Sequence, residues 1–180
     1  MVLFKESLIL SLLNKLFSLS RHRAMAELKA IYIASSAGAE MQSVDRIQAL
    51  EQIGLDGDRY SVARGYWQVT EACQVTLISE DDLNKAKKDL SDTLRARLDT
   101  GHHRRNLVIG NLKTRDLQDK TLRIGEAVFR YHKPRPPCGY LDKIEGKGLG
   151  GALGKNSGIC VTVVRGGMIA VSDRVEIVRE

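Results

Sequence analysis

Residues 157–177 read SGICVTVVRGGMIAVSDRVEI. Short β-branched runs at 158–164, 168–171 and 174–178 alternate with turn signals at Arg165-Gly166-Gly167 and Ser172-Asp173. This is the texture of strands joined by tight turns. Working back along the chain, the same texture recurs at 106–109, closed by Gly110-Asn111, and at 121–124, which leads through Gly125-Glu126 into AVFRYH at 127–132. There Phe129 and Tyr131 alternate with Arg130 and His132, so one face is aromatic and the other basic. Earlier strands are read at 74–78 (QVTLI) and 29–34 (KAIYIA), the latter followed by a Ser-Ser-Ala-Gly turn.

One internal segment breaks this pattern. Ser79 with an acid at Asp82 has the form of a helix cap, and Leu83, Leu90, Leu94 and Leu98 follow at helical spacing, which predicts a helix over about 80–99. Sequential strands with tight turns and one good internal helix argue against a doubly wound parallel sheet. The expected class is mainly β with some α: a closed or barrel-like mixed β-sheet with one internal amphipathic helix and an N-terminal helix.

The N-terminal helix is read from VLFKESLILSLLNKLFSLS, where Ile9, Leu12, Leu13 and Leu16 share a face. Glu6 and Lys15 interrupt its apolar run and no small-residue cleavage site follows, so neither a membrane span nor an export signal is expected. The stripe suits docking on the domain or on a second subunit, which makes a homodimer worth testing. Residues 1–26 are assigned to this helix and its connection, and 27–180 to the β-rich domain.

Of the 180 residues, 28 are Lys or Arg and 22 are Asp or Glu, an excess that suits an anionic partner. The excess is spread along the chain, which makes it weak evidence for nucleic acid. Cys73, Cys138 and Cys160 form no C-x-x-C pair or zinc-finger cluster, and their odd number at wide spacing favours a reducing, cytoplasmic compartment. Cys73 and Cys160 lie in apolar runs and read as buried small residues. A literal G-x-G-x-x-G at Gly146, Gly148 and Gly151 lacks the strand before and helix after that a dinucleotide needs, and the loop 146–158 reads as mobile. The Walker A and EF-hand spacings also fail.

Cys138 is different. All three prolines, Pro134, Pro136 and Pro137, precede it in HKPRPPCGY. They remove ladder donors and hold the segment extended, so the thiol leaves a strand end on a stiff stalk. Arg130, His132, Lys133, Arg135 and Lys143 surround it in sequence, and nearby cations stabilise a thiolate. Two further clusters stand out. GLDGDRY at 54–60 reads as an Asp-Arg paired turn or as a turn that offers Arg59 to a ligand. HHRRN at 102–106 reads as a basic loop or as an oxyanion clamp, since Arg carries a forked set of donors.

GLDGDRY, RRNLVI at 104–109, L-x-IG-x-A-x-F at 122–129, PPC at 136–138 and SGICVTVVRGGMIAVSDRVEI occur in the order seen in MOSC domains, which the chain resembles from about 28 to 179. These domains are similar to the C-terminal part of molybdenum cofactor sulfurases. The resemblance implies a barrel-like β fold, with Cys138 as the cysteine that carries a persulfide or ligates molybdenum of a pterin cofactor. It implies that Arg59, Arg105 and Asn106 bind the anionic cofactor or shape its pocket, with Asp58 orienting the arginine; Arg135, a cation beside the thiol in sequence, is a further cofactor-binding candidate. No pyridoxal phosphate is expected, because no room remains for that domain. Ser172 stands where the family usually has glycine, which implies a different turn.

The sequence therefore leaves three readings open. One is a stand-alone MOSC-like protein that reduces N-hydroxylated compounds with electrons from a partner, since no flavin, haem or iron–sulfur motif is present. The second is a carrier of sulfur or cofactor that takes its load from a separate donor. The third is a basic module binding nucleic acid or protein, with Cys138 structural.

Overall fold

The computed structural model describes residues 25–65 and 73–178. The N-terminal helix expected over 1–26 therefore lies almost wholly outside the described residues. Eleven strands among them form two sheets. The larger has the order β11 (Val175–Val178), β7 (Thr121–Ile124), β8 (Ala127–Pro134), β9 (Ile159–Arg165), β5 (Val75–Ser79), β6 (Leu107–Gly110), β1 (Glu27–Ile33), β2 (Gln42–Val44). The smaller has β10 (Gly167–Ala170) against β3 (Arg46–Leu50), which pairs in turn with β4 (Gly54–Leu55).

The sheet is mixed, as expected, because β5 and β6 run parallel while their neighbours are antiparallel. It is not closed or barrel-like. Eight strands run from an edge at β11 to an edge at β2, and an isolated bridge between Glu27 and Arg174 extends no ladder between those edges. The cause lies in the stretch that suggested closure. Arg165-Gly166-Gly167 is no hairpin turn, for β9 and β10 belong to different sheets. A Cβ at Gly166 would lie 2.9 Å from Ala49 O, and one at Gly167 would lie 2.6 Å from the Glu126 side chain. Two glycines let the chain cross here at close quarters and switch sheets.

The parallel pair explains the helices. Parallel neighbours need a long crossover, and β5 reaches β6 through α1 (Glu80–Ala86), a 3₁₀ turn at Lys87–Asp89 and α2 (Asp92–Asp99). The single helix expected over 80–99 is thus two. Leu90 leaves the helical conformation (φ −114°, ψ 152°) and buries its side chain, and Ser91 starts the next helix. Ser79 caps α1 by accepting from Asp82 N at 3.3 Å. Asp82 does not return the bond; it accepts from Thr114 N at 2.9 Å instead.

Two further helices were not foreseen: α3 (Gly139–Glu145), directly after Cys138, and α4 (Leu149–Leu153), inside the loop expected to be mobile. Leu149 and Leu153 anchor α4 in the core.

Side chains of β5 and β6 alternate between two cores. Leu77, Leu107 and Ile109 face the smaller sheet with Ile47, Ala49 and Leu55, while Ile78 and Val108 meet Leu83, Leu98, Leu141 and Leu149 under the helices. Burial on both faces accounts for their continuous apolar sequences. Ser172 adopts φ 74°, so it keeps the left-handed conformation that glycine would favour there. Among the described residues no helix is long and apolar enough to cross a membrane.

Cys73 and Cys160, expected as separate buried thiols, are joined in a disulfide with Cα atoms 5.7 Å apart. Eighty-seven positions separate them in sequence, and only the antiparallel pairing of β5 with β9 brings them together. The cysteine count consequently no longer argues for a reducing compartment. Closing so long a loop restricts the unfolded chain, so Cys160→Ser should lower unfolding free energy by roughly 2–4 kcal/mol. Urea denaturation of the variant beside oxidised and reduced wild type checks this, with the reduced wild type expected to match the variant.

Candidate functional site

The stalk that carries Cys138 continues the ladder of β8 against β9. Between the prolines only Arg135 keeps a backbone donor, and it donates to Gly158 O at 2.9 Å. Its carbonyl accepts from Ser157 Oγ at 2.7 Å. The chain then reaches Cys138 in extended conformation (φ −134°, ψ 152°) as the residue capping α3, and Leu141 N donates back to Cys138 O at 3.0 Å. Cys138 is the one free cysteine, half-buried.

Cys138 lines an open pocket together with Arg59, Arg104, Arg105, Arg135, Tyr60 and Tyr140. Two wider grooves flank β11, yet no cysteine or histidine lines either. Among the described residues no carboxylate lines the Cys138 pocket, and no group of three or more His, Cys, Asp or Glu is disposed to hold a metal ion. A metal at this site would therefore arrive with ligands of its own.

The turn at 54–60 holds the Asp-Arg pair, and Arg59 lines the pocket. Asp58, fully buried, accepts from Ala34 N at 3.1 Å, Tyr60 N at 3.1 Å and Arg59 Nη1 at 3.0 Å. Arg59 also donates through Nη2 to Arg104 O at 3.0 Å and lies 4.6 Å from the centre of the Tyr60 ring. Tyr60 in turn accepts from Arg135 Nη2 at 3.2 Å.

Arg105 is spent on structure. Nε and Nη2 donate to Ser157 O and Oγ at 2.5 and 2.9 Å, and Nη1 to His103 O at 3.1 Å. Burial, with Arg135 close by, lowers its pKa to about 9, which leaves it cationic at neutral pH. Asn106 lies outside the pocket: its Oδ1 accepts from Thr76 N and Oγ1, and its Nδ2 donates to Tyr32 O at 3.0 Å, so it clamps β1 to β5.

Arg104, its neighbour, carries the uncommitted donor. Nη1 donates to Ala39 O at 2.8 Å and Glu145 Oε1 at 2.9 Å, whereas Nη2, buried, has no acceptor. A buried guanidinium nitrogen without a partner is costly, and a ligand oxyanion would satisfy it. The motif HHRRN, open to reading as a basic loop or a clamp, does not tell which arginine retains a donor. Tyr60 and Tyr140 stand in GLDGDRY and HKPRPPCGY without a role being read for either, and Glu145 stands in no motif, although a carboxylate in the last turn of a helix already runs against the helix dipole.

A family model for the MOSC domain matches residues 64–176, more than half of the chain, and the chain belongs to that family. No curated protein matches it. Its fold is similar to the crystal structure of YuaD from Bacillus subtilis, with TM-score 0.64 and 14% identity over 85% of this chain and 95% of that one. YiiM from Geobacillus stearothermophilus follows at TM-score 0.61 and 13% identity, covering 86% and 75%. YiiM from Escherichia coli gives 0.58 and 17%, covering 86% and 70%. At these identities the likeness is one of fold.

Two expectations follow. His103 is fully buried and burial, then Arg105, lowers its pKa from 6.5 to about 3, so it is neutral, with Nδ1 accepting from Arg105 N at 3.0 Å. The unfolded chain binds a proton there that the folded one does not, so this contribution is complete above pH 6.5 and is lost as pH falls toward 3. Wild type should lose about 2 kcal/mol more than His103→Gln between pH 7 and pH 5, measured by urea denaturation at both values.

Gly158 has φ 124°, and a Cβ there would lie 2.7 Å from Leu77 O and 2.9 Å from Arg105 Nε. Gly158→Ala should cost about 2 kcal/mol or more through strain and displacement of Arg105. Thermal unfolding of the variant tests that loss.

Proposed function

We propose that this MOSC domain binds an anionic molybdenum-pterin cofactor in the arginine-lined pocket, with the Cys138 thiolate as a ligand to the metal. The observation that supports the reading is the convergence of a lone free thiol with four arginines, one of which has a buried donor awaiting an acceptor. A persulfide alone would need no such number of cations, whereas a phosphate-bearing cofactor with anionic sulfur and oxo groups would. The donor set fits that group: a soft thiolate for the metal and planar guanidinium forks for the oxyanions.

The chain's own contribution is placement and charge. Cys138 is held by the proline stalk, Arg104 lines the pocket with its buried Nη2 unpartnered, and Arg135 lines it from the strand end. Arg59 and Arg105, whose donors are largely taken by protein acceptors, supply positive potential and rigid walls. When bound, such a cofactor supplies two-electron redox chemistry. Reduction of an N-hydroxylated compound breaks the N–O bond, takes up an electron pair and a proton pair, and releases water. Electrons would come from a separate protein, in keeping with the lack of a flavin, haem or iron–sulfur motif. Burial of Arg59, Arg104 and Arg105 weighs against a nucleic-acid interface at this site, since phosphate backbones are bound by exposed cations.

The test is metal analysis and release of the fluorescent pterin, on wild type and Cys138→Ala purified from a host that makes the cofactor. Near-stoichiometric molybdenum and pterin in wild type, with the metal lost or its coordination changed in the variant, is the expected result. Absence of both under molybdate supply would overturn it. An intact-mass gain of one sulfur on Cys138 without metal would assign sulfur carriage instead.

A further inference from the structure

Glu145 is the last residue of α3, the helix that starts beside Cys138. Its position is unfavourable on two counts: a carboxylate there meets the negative end of the helix dipole, and it is buried. Three side chains offset this. Arg104 Nη1 donates to Oε1 at 2.9 Å, Arg97 Nη2 donates to Oε2 at 2.7 Å, and His102 Nδ1 lies 2.5 Å from Oε2. Burial by itself would raise the carboxyl pKa, yet hydrogen bonds with His102, Arg97 and Arg104 outweigh it and the net shift is downward. The group is a carboxylate at neutral pH.

Of these three partners only Arg104 lines the Cys138 pocket. Arg97 lies in the last turn of α2 and His102 follows that helix, so one carboxylate ties the end of α2, the segment 102–104 and α3 together. Arg104 has φ 60°, a left-handed conformation that a non-glycine residue adopts at a cost, and its contacts must hold it there. With Nη1 tied both to Glu145 and to Ala39 O, the guanidinium plane is fixed and Nη2 is left without a protein acceptor.

We infer that Glu145 is a positioning residue: it fixes the Arg104 guanidinium so that Nη2 donates to an oxyanion group of the ligand in the Cys138 pocket. This deepens the proposed function and rests on it only in that the pocket takes an anion. The same contact pins the far end of α3, the helix that starts beside Cys138.

The experiment is calorimetric titration of the full chain with inorganic sulfate and with molybdate at constant ionic strength. It uses wild type, Arg104→Ala, Glu145→Gln, the double variant and Arg104→Lys. Loss of one charged hydrogen bond weakens binding about tenfold or more, so both Arg104→Ala and Glu145→Gln should show that loss. Because Glu145 acts only through Arg104, the double variant should bind no more weakly than Arg104→Ala alone. Arg104→Lys keeps a cation but not the fork, and should lose as much as Arg104→Ala. Since it leaves the Glu145 carboxylate in place, it also serves if Glu145→Gln does not fold.

Wild-type affinity in Glu145→Gln, additive losses, full affinity in Arg104→Lys, or no measurable affinity of wild type for either anion would each overturn the inference. Neither anion requires a loaded Cys138. Absence of molybdenum with the expected pattern intact would sink the cofactor reading alone, and stoichiometric molybdenum with additive losses would sink this one alone.

Discussion

Burying an arginine is costly unless its forked donors find acceptors, and three buried arginines around one pocket, Arg59, Arg104 and Arg105, make that requirement the organising constraint of this domain, with Arg104 Nη2 left over. The acceptors come from near and far along the chain: Asp58 from the turn after β4, Ser157 from the loop before β9, Glu145 from the end of α3, and carbonyl oxygens of Ala39, His103 and Arg104. Each element that reaches the pocket is thereby tied to another that also reaches it. Removing one acceptor would leave a buried charge unpaired, which costs far more than an ordinary surface contact. The positive field at Cys138 is therefore a product of the fold as a whole, not of the basic residues beside the thiol in sequence.

How much of this could be read beforehand depends on the range of the interaction involved. Strands are local: alternation and β-branched runs placed β1 and β5 to β11 within a residue or two. Sheet membership is not local. Gly166 and Gly167 look like a hairpin turn until Ala49 and Glu126 are known to press against them, and the resulting switch of sheets is what left the large sheet open. The same holds for the crossover, where helical spacing of leucines survives even though Leu90 breaks the helix. Its side chain still reaches the core from extended backbone, so the periodicity was real while the continuity was not. The pairing of Cys73 with Cys160 rests on a strand register that no cysteine spacing encodes.

The site shows the same division. Proline placement made Cys138 legible because proline acts on its own backbone and its neighbour's. The clusters at 54–60 and 102–106 were legible as concentrations of charge. What each member does was not, since that depends on which acceptors the fold brings within reach. Asn106, next to Arg105 in the motif, is consumed in joining β1 to β5, while Arg104 on its other side retains the donor. Burial and occupancy of hydrogen bonds separated three adjacent residues that sequence reasoning had treated as one unit.

One consequence concerns how the thiol is kept in place. The stalk joins β9 through the bond from Arg135 N to Gly158 O, and β9 carries Cys160, whose disulfide partner Cys73 leads into β5. Tyr60 packs in the same small buried cluster as those two cysteines, and its hydroxyl accepts from Arg135 Nη2. The arginine beside the thiol is thus anchored at its backbone to β9 and at its side chain to a tyrosine resting on the disulfide. Both anchors lead to the same pair of strands, β5 and β9, which lie in the middle of the large sheet with their side chains almost wholly buried. A half-buried cysteine on a loop would ordinarily inherit the mobility of that loop. Here it inherits the rigidity of the sheet centre, which is what a ligand of fixed geometry demands of the group that holds it.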